Sequence, residues 1–558
     1  MQLLLYSLLA LVPIITAFVL LVIANRPATQ AMPIAYLVTV ILALGIWQVP
    51  FLQVAASTLE GLLTTLEILY IVFGAILLLN TLQTSGAISK IRQGLLGISS
   101  DRRIQVIIIA MLFGSFIEGA SGFGTPAVIC VPLLVAIGFP PMAAVIASLI
   151  TQAAPSTFGA VGTPMIIGIT GGLSDSAVVE KEINRLGLNF SEYLGQISIK
   201  TALIQGIISI FIPLLLVLIL TGLFGENRSW REGLSITPFA LFAGISFAIP
   251  YALTAYLIGP EFPTILGGLV GLAIVVPATK NRWFAPVTNW DFPPPAEWSE
   301  IWQGSIKSIK MAVPEISAKM PGFKAWMPYI LLGILLALSR FHFLPFRQWL
   351  QSFQISFPNI LGTEISASTQ PLFLPATIFI MVVVITYFLH GLQPKQLQIA
   401  IINSFQKLLG TALAIGASVP MAKVFINSGV NESGLASMPL TLADGVSSLT
   451  GQTWPFFAPI IGAVGSFVAG STTVSNMMFS LFQFGVAQQI DVSPPLILAL
   501  QSVGAAAGNM IAIPNIVAAA ATVSLIGCEG ILLSQLFLPL SLYLLLAGIL
   551  GVIATLIF

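Results

Sequence analysis

Apolar runs of about 20 residues recur along the whole chain, separated by short polar turns. As a helix rising about 1.5 Å per residue, each is long enough to cross a hydrocarbon core of about 30 Å. The pattern predicts spans at 3–24, 32–49, 57–84, 140–172, 198–224, 236–258, 261–279, 325–340, 371–390, 403–429, 493–526 and 530–556. Two further apolar pairs, 103–138 and 456–490, each hold two short arms around a small-residue tip. The tips read Glu118-Gly-Ala-Ser-Gly-Phe-Gly-Thr-Pro126 and Ala469-Gly-Ser-Thr-Thr-Val-Ser-Asn476. Such a tip exposes backbone N–H groups that lipid cannot satisfy, so it belongs inside protein or beside a water-filled cavity. Both tips are polar but almost uncharged, which predicts re-entrant hairpins. Two full spans joined by a surface turn are the alternative. The span after each tip is interrupted as well, over Thr151 to Pro164 and over Gly504 to Asn515. Broken helices leave free N–H and C=O ends at membrane depth, which suit anions and cations respectively.

The interrupted units look like copies of one another. Gly-Ser-Phe-Ile-Glu-Gly from Gly114 to Gly119 matches Gly-Ser-Phe-Val-Ala-Gly from Gly465 to Gly470. Pro140-Pro141 falls against Pro494-Pro495, Ala154 against Gly508, and Ser85-Gly86 against Ser428-Gly429. A duplicated hydrophobic unit broken by Gly, Pro and small polar residues points to a transporter binding site. The chain divides into an N-terminal span (1–31), a first repeat (32–224, with hairpin 103–138 and broken helix 140–172), linking spans (225–370) and a second repeat (371–558, with hairpin 456–490 and broken helix 493–526).

Composition agrees with the pattern. Charged residues are 7% of the chain and hydrophobic ones 57%, against roughly 25% charged in soluble domains. The expected fold class is an all-α polytopic membrane protein with about 12 spans, two re-entrant hairpins and two inverted repeats. A net charge of +1 gives no reason to invoke nucleic acid, and two cysteines imply no disulfide framework. Met1 to Val12 lacks a basic n-region and reads as part of a retained span rather than a signal peptide. With these spans, 15 basic residues fall in loops on one side, among them Lys90, Arg103, Lys395 and Lys407. The other side has 5: Lys181, Arg185, Lys200, Arg340 and Arg347. The basic side is expected in the cytoplasm of an inner-membrane protein, with both termini outside and the two copies inverted. The connection from Lys280 to Lys324 mixes lysines with Trp283, Trp290, Trp298 and Trp302, and reads as an amphipathic, bracing linker.

Glu118 is the sharpest chemical candidate. An acid at a membrane hairpin tip is costly unless it is protonated, paired or watered, so it suits proton capture; the bland role is a cap on backbone N–H groups. Its counterpart in the second copy is Ala469. Lys423, whose counterpart is Asn80, suits neutralisation of a substrate carboxylate or pairing with Glu118, and equally snorkelling to the outer interface. Glu60 and Glu67 are seven residues apart on one helical face; a structural or access role is preferred there to coupling. His342 and His390 sit beside span ends and read as interfacial. A substrate cradle is expected from Ser121, Gly122, Gly124, Thr125, Thr157, Gly162, Thr163, Asn427, Ser471, Thr472, Thr473, Ser475, Asn476, Asn509 and Asn515. Small alcohols and amides offer the donors and acceptors that a hydroxy-carboxylate needs, although any one of them also serves helix packing. No metal or cofactor is implied.

At these residues the chain resembles the lactate permease family. The resemblance rests on Glu118-Gly-Ala-Ser-Gly-Phe-Gly-Thr-Pro126, Ala154-Pro155 with Phe158-Gly-Ala160, Asn427-Ser-Gly429, and Gln488-Gln489 with Ser493-Pro494. It implies import of lactate, and in some members glycolate, with protons. The layout is also similar to a wider group of carboxylate and ion transporters with inverted repeats, hairpins and elevator-like motion. The Ser-Thr-Thr-Val-Ser-Asn tip is closer to that group, whose members can use sodium, so both ions stay open. The expected partners are a small carboxylate, protons and the bilayer; a homo-oligomer stays open. Gly119-Ala-Ser-Gly122 also matches the pattern of intramembrane serine proteases, which need a histidine base nearby, and both histidines are expected at surfaces. A channel is a third reading, disfavoured by the unequal tips.

Overall fold

The computed structural model describes residues 2–24, 26–122, 124–174, 176–286, 288–303, 320–340, 345–523, 525 and 527–557. His342, Lys307, Lys310 and Lys319 lie outside them. Among these residues the fold is helical almost throughout, with one two-stranded antiparallel hairpin, Ile355–Phe357 with Ala367–Thr369. Among the described residues ten helices are long and apolar enough to cross a membrane, or eleven if the bent pair Pro141–Thr151 and Ser156–Leu173 counts as one. This is a multi-pass membrane protein.

Every predicted span has a helix. Two of them, in Gly322–Arg340 and Pro375–His390, are short for a crossing. Proline starts many of these helices, as in Pro141, Pro375, Pro394 and Pro494; its fixed φ is already helical and its missing N–H would have no partner there. Elements that were not predicted include the strand hairpin and the helices Ala87–Leu96, Ala177–Arg185, Trp230–Leu234, Pro345–Ser352 and Met438–Thr450.

Several basic residues assigned to loops lie instead within helices or in the interior. Lys200 lies within the helix Phe190–Phe224, and Lys395 and Lys407 within Pro394–Ile426. Arg103 is buried, with both Asp101 carboxylate oxygens and the carbonyls of Glu232 and Thr288 as acceptors. The same knot binds the Trp290 amide through Asp101 and the Trp290 indole through Glu232. The described part of the tryptophan-rich connection is therefore an irregular strap pinned by polar groups; its only α-helix, Glu300–Gln303, is four residues long.

The first apolar pair folds as a helix Arg102–Ser121 and a helix Thr125–Ala136. At 1.5 Å per residue the 12-residue second arm reaches only about 18 Å, and the first is buried along its whole length. The second pair has arms Trp454–Ala469 and Thr472–Gln489. Each hairpin packs against its broken helix. Trp454–Ala469 approaches Pro494–Gly508 closely through Gly504 and Gly508, four residues apart on one face. A Cβ on Gly504 would stand 1.8 Å from the Pro459 carbonyl oxygen. Gly504→Ala is therefore expected to force these helices apart, at a cost of about 1–3 kcal/mol or more. A melting temperature equal to that of the parent protein in detergent would contradict this packing.

Two long helices, Phe51–Thr84 and Pro394–Ile426, run antiparallel. Asn427, just past the end of the second, reaches Glu60 near the start of the first, and Asn80 near the end of the first reaches Ser404 and Lys407.

Candidate functional site

Four interruptions of the backbone converge on one cleft. They are the tip of the first hairpin (Gly122, Gly124), the break of the first broken helix (Ser156 to Pro164), the tip of the second hairpin (Gly470 to Thr473) and the break of the second broken helix (Asn509, Asn515). Glu118 lies on the cleft wall. The free space is small, ≈ 30 Å³, room for about two waters.

Local chemistry explains each interruption. Gly122 and Gly124 both have positive φ, 66° and 72°, which glycine adopts without steric penalty. They also have no room for a Cβ, since one on Gly124 would stand 2.7 Å from Asn515 Oδ1. Ser121 and Thr125 staple this tip: their hydroxyls lie 2.6 Å apart, so one donates to the other, and the remaining O–H goes to a backbone carbonyl, Ile117 for Ser121 or Gly122 for Thr125. In the first broken helix, Ala160, Val161 and Gly162 form three successive left-handed residues. Left-handed backbone costs roughly 1–2 kcal/mol per non-glycine residue, so tertiary contacts must hold it. Thr163 donates to the Ala160 carbonyl, Thr157 is hydrogen-bonded to the Tyr251 hydroxyl, and Thr264 donates to the Pro155 carbonyl. At the second tip Ser471 caps the following helix by accepting from the Val474 amide. Asn509 Nδ2 donates to Thr472 Oγ1 at 2.9 Å, and Asn515 Nδ2 donates to Gln152 Oε1 at 3.2 Å, linking the two broken helices.

The structure thus sorts the predicted residues into three groups. Glu118, Gly122, Gly124, Ser471, Thr472, Thr473, Asn509 and Asn515 line the cleft. Ser121, Thr125, Thr157, Gly162, Thr163, Ser475 and Asn476 stand behind it as supports. Ser475 donates to the Gly462 carbonyl, and Asn476 to the Pro164 carbonyl and to Ser502 Oγ. Lys423 and Asn427 belong elsewhere. Lys423 is ion-paired with Glu60, not with Glu118, and at 3% exposure it does not snorkel. Asn427 donates to the same Glu60 carboxylate at 2.8 Å. His390 is bonded to the Lys324 carbonyl at a helix end. Ser156, Gly159, Ala160, Pro164 and Gly470 complete the lining. All five fall within segments that the interruption pattern marked, so that pattern contained the signal for them.

The electrostatics follow from helix ends. The helices Thr125–Ala136 and Thr472–Gln489 both begin at the cleft. Their first amides have no acceptor within the helix, and their dipoles turn a positive end toward the cleft. Such an end is a ready anion site. Opposite this positive field stands Glu118, in the last turn of its helix. It is 4% exposed, its Oε2 has no hydrogen-bond partner, and among the described residues it has no ion-pair partner. A buried polar oxygen without a partner costs about 1–3 kcal/mol, which a proton or a ligand at that atom would remove.

Comparison with known proteins places the chain in a family. The chain is 29% identical to a putative L-lactate permease of Haemophilus influenzae, over 96% of each chain. It is 31% identical to an L-lactate permease of Bacillus subtilis, over 95% of this chain and 92% of that one. The glycolate permease GlcA of Escherichia coli is 28% identical, over 94% and 91%. The solved structure of the Alcanivorax borkumensis YdaH transporter covers 87% of this chain and 84% of that one at 14% identity, with a TM-score of 0.40, too distant a likeness to define any element. The family described as L-lactate permease matches residues 6–558, and this chain therefore belongs to the L-lactate permease family, whose members are transporters and not enzymes.

Proposed function

We propose that this protein is a secondary active carrier for small 2-hydroxy monocarboxylates, lactate and glycolate, moved together with a proton. The observation that carries the reading is the juxtaposition at the cleft of two helix N-termini and one unpartnered carboxyl, Glu118. The helix ends supply amides for a substrate carboxylate, with Thr472, Thr473, Asn509 and Asn515 as hydroxyl and amide partners for the 2-hydroxyl group. Glu118 holds the proton. A proton and an anion bound together make the loaded site neutral. A lone charge at the bilayer centre costs at least about 2.5–3.5 kcal/mol, so the neutral pair crosses more readily than either alone. The names of relatives supply the substrates: L-lactate for some, glycolate for another.

A cleft of ≈ 30 Å³ is too small for a hydroxy acid, so loading requires the hairpin tips to part from the broken helices. Parting on alternate sides is alternating access, with the inverted copies giving each side its own gate. Uptake of labelled lactate and glycolate into proteoliposomes under an inward pH gradient tests the whole reading. Accumulation of both is expected. Movement of a dicarboxylate alone would refute the substrate class, and accumulation driven by sodium without a pH gradient would refute the proton.

A further inference from the structure

Away from the cleft, the helix Phe51–Thr84 carries Glu60 and Glu67 about two turns apart on one face. Lys423 of the antiparallel helix serves both. It is ion-paired with Glu60, and its charge attracts Glu67. Glu60 is well provided for, with the ammonium on one oxygen and the Asn427 amide on the other. Glu67 is not. Thr369 of the strand hairpin lines the same crevice, and among the described residues Glu67 has no ion pair.

Glu67 also differs in access. It lines a crevice of ≈ 350 Å³ between its helix and the strand hairpin, walled by Leu63, Tyr70, Phe357 and Thr369. None of the residues lining this crevice lines the substrate cleft. The crevice is a separate opening, and among the described residues lining it Glu67 is the only carboxylate.

We propose that Glu67, backed by Lys423 and Glu60, is a second proton-binding station, loaded through this crevice. The charge count carries the argument. Taken by themselves, the three groups Glu60, Glu67 and Lys423 carry one net negative charge at a helix interface in the membrane. Uncompensated charge there is strongly unfavourable, and one proton makes the cluster neutral. That proton belongs on Glu67, because Glu60 already accepts from a cation and an amide, whereas Glu67 faces the opening. The other titratable groups around it do not compete. Tyr70 shares the crevice wall, Glu364 of the strand hairpin is exposed, and Lys407 lies at the far end of the helix pair with Asn80.

The consequence for transport rests on the reading of the chain as a proton-coupled carrier; the proton site itself does not. The test is therefore made first without transport, by pH-difference infrared spectroscopy of the purified protein in detergent. The parent protein is expected to show two protonated-carboxyl bands, one lost in Glu118→Gln and the other in Glu67→Gln. A Glu67→Gln spectrum that superposes on that of the parent overturns the proposal. If that variant does not fold, Glu67→Asp keeps the acid on a shorter stem and must shift its band; an unmoved band is equally fatal. In proteoliposomes, Glu67→Gln is expected to halve the ratio of proton flux to substrate flux. An unchanged ratio in a folded, transporting variant overturns the coupling role. Failure of the carrier reading itself would appear differently, as no substrate uptake by the parent protein with both bands intact.

Discussion

Glu118→Gln is expected to abolish uphill accumulation of lactate under a pH gradient while leaving exchange of labelled for unlabelled substrate near its normal rate. The amide keeps the size and the neutral charge of a protonated carboxyl, so the loaded site can still cross. It cannot release a proton, so the gradient no longer drives net movement. The parent protein with an ionised, buried and unpartnered Glu118 should resist crossing empty, since the bare charge costs at least about 2.5–3.5 kcal/mol at the bilayer centre. The variant loses that brake, and a slow leak of substrate down its gradient is the accompanying sign. Counterflow and pH-jump assays on the same vesicles separate the two activities. Accumulation at the parent level in this variant would place the coupling proton elsewhere, and Glu67 would then be the first residue to test.

The second large effect concerns stability. Lys423→Met is expected to destabilise the protein by about 3–5 kcal/mol, because it leaves Glu60 buried without its cation. Glu60→Gln alone should also be severe, since it strands Lys423. The double variant should recover most of the loss, because a Met–Gln pair of similar volume buries no charge. A double-mutant cycle, read by denaturant or thermal unfolding in detergent, therefore predicts strong coupling between the two positions. Additive single effects would mean that Lys423 and Glu60 do not depend on each other, and would undo the charge count behind the second proton station.

The helices were legible because their cause is local. Unbroken apolar runs must satisfy their own backbone in lipid, and only a helix does so within one segment. The hairpin tips were legible for the converse reason: Gly122, Gly124 and Gly470 interrupt such runs where lipid would not tolerate free amides. That pattern also enclosed the lining residues Ser156, Gly159 and Ala160, none of which stood among the expected cradle residues. The placement of Lys423 was not legible. Its partner Glu60 is 363 residues away in the chain, and nothing in the neighbourhood of either residue distinguishes an ion pair between them from one with Glu118. The strand hairpin over Glu67 escaped for a similar reason. Ile355–Phe357 and Ala367–Thr369 are three-residue strands, too short to show an alternating pattern.

The order of apolar runs and the chemistry of glycine, proline and small alcohols along this chain were enough to determine a helical membrane protein with two interrupted cores and a lone acid at one of them. Those properties follow from how each segment meets lipid and satisfies its own hydrogen bonds. The tertiary structure alone decided which interruptions share a cleft, that Thr125 and Ser475 support rather than line it, and that Lys423 stands with Glu60. Each of those outcomes depends on the distance between residues remote in sequence, and Coulomb attraction and hydrogen bonding act on that distance whatever the separation along the chain.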